Sequence, residues 1–253
     1  MLRSLNSLDG FIVSAIDGEI GKVSEFYFDD TMWTVRYMIV KTGGWLTGRK
    51  VLIAPEALLH PDWKNRSLPV NLTMQQVKDS PDIDTDKPVS RQEEDALYAY
   101  YPWQNYYDAG LFGENIGMMG MFPIPPAPPD EIPEPDASAI GRQQGDSHLR
   151  STHRVKGYRI HAKDGEIGKV SDFIFDEDKW AIHFLVITTG SLFSHKKVLM
   201  SPAWIKEVKW AMNEVIINVT MGAIENSPVY DESKPLDDDY STDLHNHYGK
   251  SSE

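Results

Sequence analysis

The chain has 253 residues, of which 41% are hydrophobic and 25% charged, as in ordinary globular proteins, and this length allows two small domains. No apolar run reaches the about 20 residues that a membrane-spanning helix needs, and no secretory signal opens the chain, so a cytoplasmic location is expected. The absence of cysteine excludes disulfides, thiolate catalysis and cysteine-bound metals.

The net charge of −13 is unevenly distributed along the chain. Residues 1–89 carry −2 and residues 150–236 carry +1, whereas residues 90–149 carry −8 and residues 237–253 carry −4. Because binding to a phosphate backbone needs a basic excess, direct binding of nucleic acid is not expected.

The first strands surround an Asp-Gly turn. Residues 8–16 predict a short strand, Asp17-Gly18 a tight turn, and residues 20–29 a second strand. The alternation of apolar residues slips beside Gly21, which predicts either a backbone conformation that other residues avoid or a close approach of another backbone.

The rest of the first unit contains three more predicted strands and a short helix: residues 33–42, 50–53 and 67–72, then 74–78. Short, closely spaced strands joined by Gly and Asp turns are typical of a small antiparallel β-barrel. We therefore predict a mainly β fold, with a first barrel over residues 1–89.

A glycine-flanked loop at residues 43–48 carries Trp45 and Leu46. The corresponding loop of the second unit carries Leu192 and Phe193. Large apolar side chains in such loops either plug or pack a barrel or anchor a binding partner, and both interpretations stand.

Residues 90–107 predict a helical, aromatic extension. Ser90 and Glu93 have the spacing of a capping box, and the helix is expected to run to about Tyr101, before a proline. Tyr100, Tyr101 and Trp103 are further candidate interaction residues. Docking of this segment onto a barrel is the favoured interpretation, because an isolated helix of this length is marginal in water.

Residues 108–150 predict an irregular acidic linker with seven prolines between positions 123 and 135. A second barrel is predicted over residues 151–236, and each barrel is expected to be followed by short helical segments. Residues 237–253 are predicted to form an acidic polar tail.

The second barrel is predicted because the chain is duplicated. Residues 17–43 and 164–190 are identical at 14 of 27 positions, with an offset of 147 that continues without a gap through Ser80-Pro81 and Ser227-Pro228. A domain-sized repeat of this kind predicts two superimposable units, which we expect to pair as an intramolecular pseudo-dimer.

The shared pattern is a strand, then DG-x-IGKV, F-x-FD, Trp, an apolar strand, Gly, and a Lys-Val strand closed by Thr-Met and Ser-Pro. It resembles the PRC-barrel family over about residues 4–89 and 151–236, which implies a small, mostly antiparallel barrel in each unit. The family includes the cytoplasmic domain of the H subunit of purple-bacterial reaction centres and the C-terminal domain of a ribosome maturation factor. Both act as binding or assembly modules, so the resemblance implies binding rather than catalysis.

Groups that could carry chemistry are sparse. Asp29-Asp30 is a paired carboxylate in a turn, and Asp243, His245 and His247 could in kind hold zinc or nickel in a polar tail. We predict no catalytic residue, no cofactor and no metal site.

Two functions remain open from the sequence. The first is a non-enzymatic scaffold that binds a protein of unknown identity, including a protein of a membrane complex approached from its periphery. The alternative is a stress-related protein that senses a small molecule or a metal in the cleft between the barrels.

Overall fold

The computed structural model describes residues 1–83, 89, 91–101, 103, 148–191, 194–234, 236 and 238–249. Contacts divide the chain into one unit made of Met1–Lys78 with His148–Glu253, and another made of Asp79–Ser147. In the first unit, we call residues 1–78 the first half and residues 148–249 the second half.

The first half is built from short strands in the order that the sequence predicts. They are β1 (Leu2–Ser4), β2 (Ile12–Ala15), β3 (Gly18–Asp29), β4 (Thr34–Thr42), β5 (Lys50–Ile53) and β6 (Ser67–Pro69), followed by helix α1 (Met74–Lys78). Short 3-10 helices lie at Leu5–Leu8, Gly44–Leu46 and Pro55–Ala57. The predicted helix over residues 74–78 is confirmed, and β1 was not predicted.

The Asp79–Ser147 unit contains helix α2 (Arg91–Tyr100), which confirms the predicted helical extension. The second half begins with β7 (Leu149–Ser151), so the last residues of the predicted linker lie in a strand. Most of that linker, including its proline-rich stretch, lies outside the described residues.

The second half continues with strands that repeat the first half, and it ends with a helix. Its elements are α3 (Thr152–Val155), β8 (Arg159–Ala162), β9 (Gly165–Asp176), β10 (Ile182–Ser191), β11 (Ser194–Met200), β12 (Ile205–Lys209), β13 (Glu214–Ile217), α4 (Met221–Glu225) and α5 (Asp238–Gly249). The acidic tail is helical over α5, where Leu244 and Tyr248 bury an apolar edge four residues apart.

Each half carries one mixed sheet. The strand order is β5-β4-β3-β2-β6 in the first half and β11-β10-β9-β8-β13-β12 in the second. The β2–β6 and β8–β13 pairs are parallel, whereas the other pairs along these paths are antiparallel. Neither sheet closes into a barrel among the described strands, so the mainly β class is observed but the predicted tandem barrels are not confirmed.

The halves repeat in register as well as in sequence. Gly21 pairs with Thr42 in the first half, and Gly168 pairs with Thr189 in the second, an offset of 147 for both members. A Cβ built on Gly21 would lie 2.2 Å from the Lys41 carbonyl oxygen, and the same atom on Gly168 would lie 2.3 Å from the Thr188 oxygen. Of the two alternatives predicted for Gly21, the close backbone approach is the one observed, and it recurs at Gly168.

The first strand of each half pairs with the sheet of the other half. Leu2, Arg3 and Ser4 of β1 lie opposite Asp176, Phe175 and Ile174 of β9. The equivalent strand β7 lies antiparallel to the end of β3, with Ser151 opposite Tyr27. The two sheets are therefore joined by a reciprocal exchange of strands.

Candidate interaction sites

Trp45 lies in the 3-10 helix that follows β4. Its indole Nε1 donates a hydrogen bond of 2.7 Å to the Ile20 carbonyl oxygen, which also accepts from the Gly43 backbone N–H at 3.2 Å. Thr47 closes the turn in the left-handed region, with φ of 55°. The Trp45 side chain is consequently held in one position, although the residue remains 37% exposed.

The other loop candidates differ in what the structure describes. Leu46 is half-buried, and its carbonyl oxygen accepts a hydrogen bond of 2.8 Å from the Thr47 hydroxyl. Leu192 and Phe193 lie outside the described residues, so the structure brings neither of them to a site.

The aromatic extension forms its own cluster in the Asp79–Ser147 unit. The Tyr101 ring stacks on the Trp103 ring at a centroid distance of 4.0 Å and meets the Tyr100 ring edge-on at 4.7 Å. Tyr101 is buried, whereas Tyr100 is 39% exposed. Tyr100 is therefore the most accessible ring of these three.

The exchanged strands bring buried carboxylates to serine hydroxyls, a feature that the sequence analysis missed. The Ser4 hydroxyl donates to Asp172 Oδ2 at 2.5 Å, and the equivalent Ser151 hydroxyl donates to Glu25. Asp172 Oδ1 also accepts from the backbone N–H groups of Asn6 and Phe173, at 3.1 and 2.7 Å. Burial nevertheless raises the pKa of Asp172, and these hydrogen bonds offset that effect only in part.

A cluster of four side chains surrounds the exchanged strand β1. Arg3 Nε donates to Glu177 Oε1 at 2.8 Å, and its guanidinium lies 4.8 Å from the centroid of the Trp63 ring. The Trp63 indole N–H donates to the other oxygen of Glu177 at 3.0 Å, and its ring meets Phe11 edge-on at 5.3 Å. The carboxylate of one half is thus bound by two side chains of the other.

The same type of cluster recurs at strand β7 with exchanged roles. Arg150 Nε donates to Asp30 Oδ2 at 2.7 Å, and its guanidinium lies 4.2 Å from the centroid of the Trp210 ring, which packs near Tyr158. All four residues are the offset-147 equivalents of those around Arg3. The signal was present in the sequence, because Leu-Arg-Ser occurs at residues 2–4 and again at 149–151.

Two contacts join residues that are equivalent to each other. Thr34 and Ala181 form an antiparallel bridge, and Lys156 Nζ lies 3.5 Å from Asp9 Oδ2. Both contacts thus join a residue of one half to the residue 147 positions away in the other half.

Metal-ligand clusters are absent from the part of the chain that the structure describes. No group of three histidine, aspartate or glutamate residues there could hold a metal ion. Asp29 instead caps its own turn, with Oδ1 accepting from the N–H groups of Thr31 and Met32 at 2.8 and 3.0 Å. His247 Nε2 lies 2.6 Å from the Ala223 carbonyl oxygen, in contact with α4.

Comparison with known proteins adds no assignment: no family model matches the sequence, and no curated protein matches it. Among the described helices, none is long and apolar enough to cross a membrane.

Proposed function

We propose that the protein is a non-enzymatic binding or assembly module, built from two PRC-type units that pair as an intramolecular pseudo-dimer. A protein partner is proposed rather than a nucleic acid, because the near-neutral charges of residues 1–89 and 150–236 lack the needed basic excess. The proposal places the protein in the cytoplasm, where partners at the periphery of a membrane complex are accessible.

The repeated contacts support the pseudo-dimer. Strand pairing, the serine–carboxylate bonds and the arginine–tryptophan–acid clusters each occur twice, with the halves exchanging roles. In each of these repeated contacts, polar side chains of one half bind polar side chains of the other. These side chains hold the halves together, which suits a rigid scaffold better than a catalytic site.

The binding proposal rests mainly on Trp45, whose side chain is both fixed in position and exposed. Its ring is held by the bond to the Ile20 oxygen, yet more than a third of the residue is exposed. A tryptophan fixed before binding loses little conformational entropy when a partner covers it, and tryptophan is enriched among residues that dominate binding energy.

Divergence between the halves also favours the first half as the binding side. Three exposed apolar residues of the first half have exposed lysines at the equivalent positions of the second: Ile16, Met32 and Leu59 correspond to Lys163, Lys179 and Lys206. The strands are repeated but these three exposed positions are not, so the apolar character at them belongs to the first half alone.

The test is affinity capture from the native cell with wild type and Trp45→Ala, followed by mass spectrometry. We expect roughly tenfold weaker capture of a specific partner. Loss of the indole hydrogen bond and its contacts should lower stability by only about 1 kcal/mol, equivalent to about 2–4 °C in Tm.

Met212→Ala is the matched control, because Met212 is 61% exposed and lies in the second half. It should leave capture unchanged. If Trp45→Ala unfolds the protein, Trp45 is a structural plug and its role as an anchor is wrong. Substrate turnover by the purified protein would contradict the non-enzymatic proposal.

A further inference from the structure

Three lysines lie side by side across the sheet of the first half. Lys22 of β3 is directly opposite Lys41 of β4, and Lys41 is directly opposite Lys50 of β5. Residues that pair in this way project their side chains from the same face, with Cβ atoms about 4.5–5.5 Å apart. Like charges directly opposite each other destabilise a sheet, so folding alone does not favour this arrangement.

Lys22 and Lys41 are both exposed. Neither ammonium group has a hydrogen-bond or ion-pair partner among the described residues. Glu19, which pairs with Ser14 nearer the start of β3, is also exposed, but no ion pair joins it to either lysine. Lys50 continues the row and adds a third positive charge. The row therefore presents two accessible cations that the described part of the chain does not neutralise.

The equivalent row of the second half shows which groups satisfy cations at these positions. Its central position holds the neutral Thr188, and the flanking Lys197 donates to Glu232 Oε1 at 2.6 Å. Arg159, in the same row, donates to Glu214 Oε1 at 2.6 Å. Carboxylates of the chain itself thus bind two of these cations in the second half. For the two exposed lysines of the first half, a binding partner can supply the carboxylates.

An α-helix with acidic residues along one face matches the spacing of this row. Helix residues three or four positions apart have Cβ atoms about 5–6 Å apart, close to the separation of paired residues on neighbouring strands. A helix that lies across β3 and β4 therefore sets two carboxylates over Lys22 and Lys41. We propose that this row binds an acidic helical segment of a protein partner, with Asp or Glu at positions i and i+4.

This inference rests on the proposed function, because it gives the chemistry of the partner that Trp45 anchors. The Trp45 indole donates to the carbonyl oxygen of Ile20, two residues before Lys22. A membrane surface fits less well, since residues 1–89 carry a net charge of −2, which a continuous anionic plane would face together with the lysines. A helix with acids on one side places them on the lysines alone.

NMR titration of the full chain with two synthetic helical peptides tests the proposal. One peptide has glutamates at positions i and i+4, and the other has glutamines there. The glutamate peptide should bind saturably and shift the backbone amide signals of Lys22 and Lys41, whereas the glutamine peptide should bind about fivefold more weakly. Equal binding of the two peptides, unchanged signals of both lysines, or no saturable binding up to millimolar peptide would each overturn the proposal.

Two variants locate the site. Lys41→Thr introduces the residue type that the second half has at this position, and Lys22→Gln removes the other charge. Each should weaken binding of the glutamate peptide about two- to fivefold, while Tm stays the same or rises because a like-charge contact is relieved. Lys169→Gln is the matched control, since Lys169 is the exposed equivalent of Lys22 and lies opposite Thr188. Its binding should equal that of wild type, and unchanged binding by both first-half variants would overturn the assignment.

Phosphatidylserine vesicles are the second probe. If the vesicles shift the Lys22 and Lys41 signals and the glutamate peptide does not, the row binds a membrane and the proposal is wrong. The comparison of the two peptides does not depend on Trp45. A failed Trp45→Ala capture experiment would therefore leave this result unaffected, and the two proposals can fail separately.

Discussion

Because Gly21 has no Cβ atom, strands β3 and β4 can pair in the observed register. Its Cα faces the backbone of β4 so closely that a methyl group would lie 2.2 Å from the Lys41 oxygen and 2.8 Å from the Thr42 Cα. Backbone cannot move aside as a flexible side chain can, so β3 and β4 would have to separate.

We expect Gly21→Ala to lower the free energy of unfolding by at least about 2 kcal/mol, measured by urea denaturation. Gly44→Ala is the control, because its Cβ would meet no atom within 4 Å, and its effect should stay within about 0.5 kcal/mol. Equal stability of the two variants would show that the close approach does not exist.

Asp172, which lies where β1 pairs with β9, makes the stability of the folded protein depend on pH. Its folded-state pKa is raised mainly by burial, so its contribution to stability is fully present below the unfolded pKa and is lost as pH rises through the folded value. At neutral pH its charge therefore opposes folding. Replacing Asp172 by asparagine keeps an oxygen that accepts hydrogen bonds from the backbone N–H groups of Asn6 and Phe173, and it removes the charge.

We accordingly predict that Asp172→Asn is at least as stable as wild type at neutral pH and less stable relative to wild type near pH 4. Denaturation curves across this pH range measure the difference. Asp172→Ala, which loses the three hydrogen bonds that the carboxylate accepts, should be destabilised throughout. If Asp172→Asn lost more stability relative to wild type at neutral pH than near pH 4, the argument that burial raises the pKa of Asp172 would be contradicted.

At the scale of elements, strand β1 pairs with the sheet of the other half. Deleting residues 1–4 removes the partners of residues 174–176 in β9, together with the bond between Ser4 and Asp172. We expect faster amide exchange at the end of β9, measured by NMR, and much smaller changes at residues 27–29, which pair with β7. Faster exchange in the first half alone would refute the strand exchange.

Several elements could be predicted because their signals are local. The β5 and α1 boundaries follow from apolar pattern and turn residues, and the role of Gly21 follows from the slip in alternation. Strand β1 has three residues, too few to show a period, and its partner lies about 170 positions away. No local pattern can encode that pairing.

The candidate sites also divide into those with a local sequence signal and those whose residues are distant in sequence. Trp45 and Leu46 were found because large apolar residues in a glycine-flanked loop are unusual. The arginine–tryptophan–acid clusters were missed because their members are distant in sequence and unremarkable one by one. Extending the repeat back to Leu149-Arg150-Ser151 would have indicated that these arginines have equivalent surroundings.

At the scale of the whole molecule, we propose that the two halves pair as a pseudo-dimer about a two-fold axis beside Thr34 and Ala181, which form an antiparallel bridge. The chain contains no cysteine, so a Thr34→Cys, Ala181→Cys variant has only one pair of thiols to oxidise. Bridged strand residues have Cα separations of about 4.5–5.5 Å, within the range that a disulfide spans.

The decisive measurement is denaturing, non-reducing electrophoresis of this double variant after oxidation, with a protease site between residues 104 and 147 cleaved. The account predicts that the N-terminal and C-terminal fragments run as one disulfide-linked species, and that either single-cysteine variant releases both fragments. Separate fragments from the oxidised double variant, or fragments joined only to copies of themselves, would contradict it.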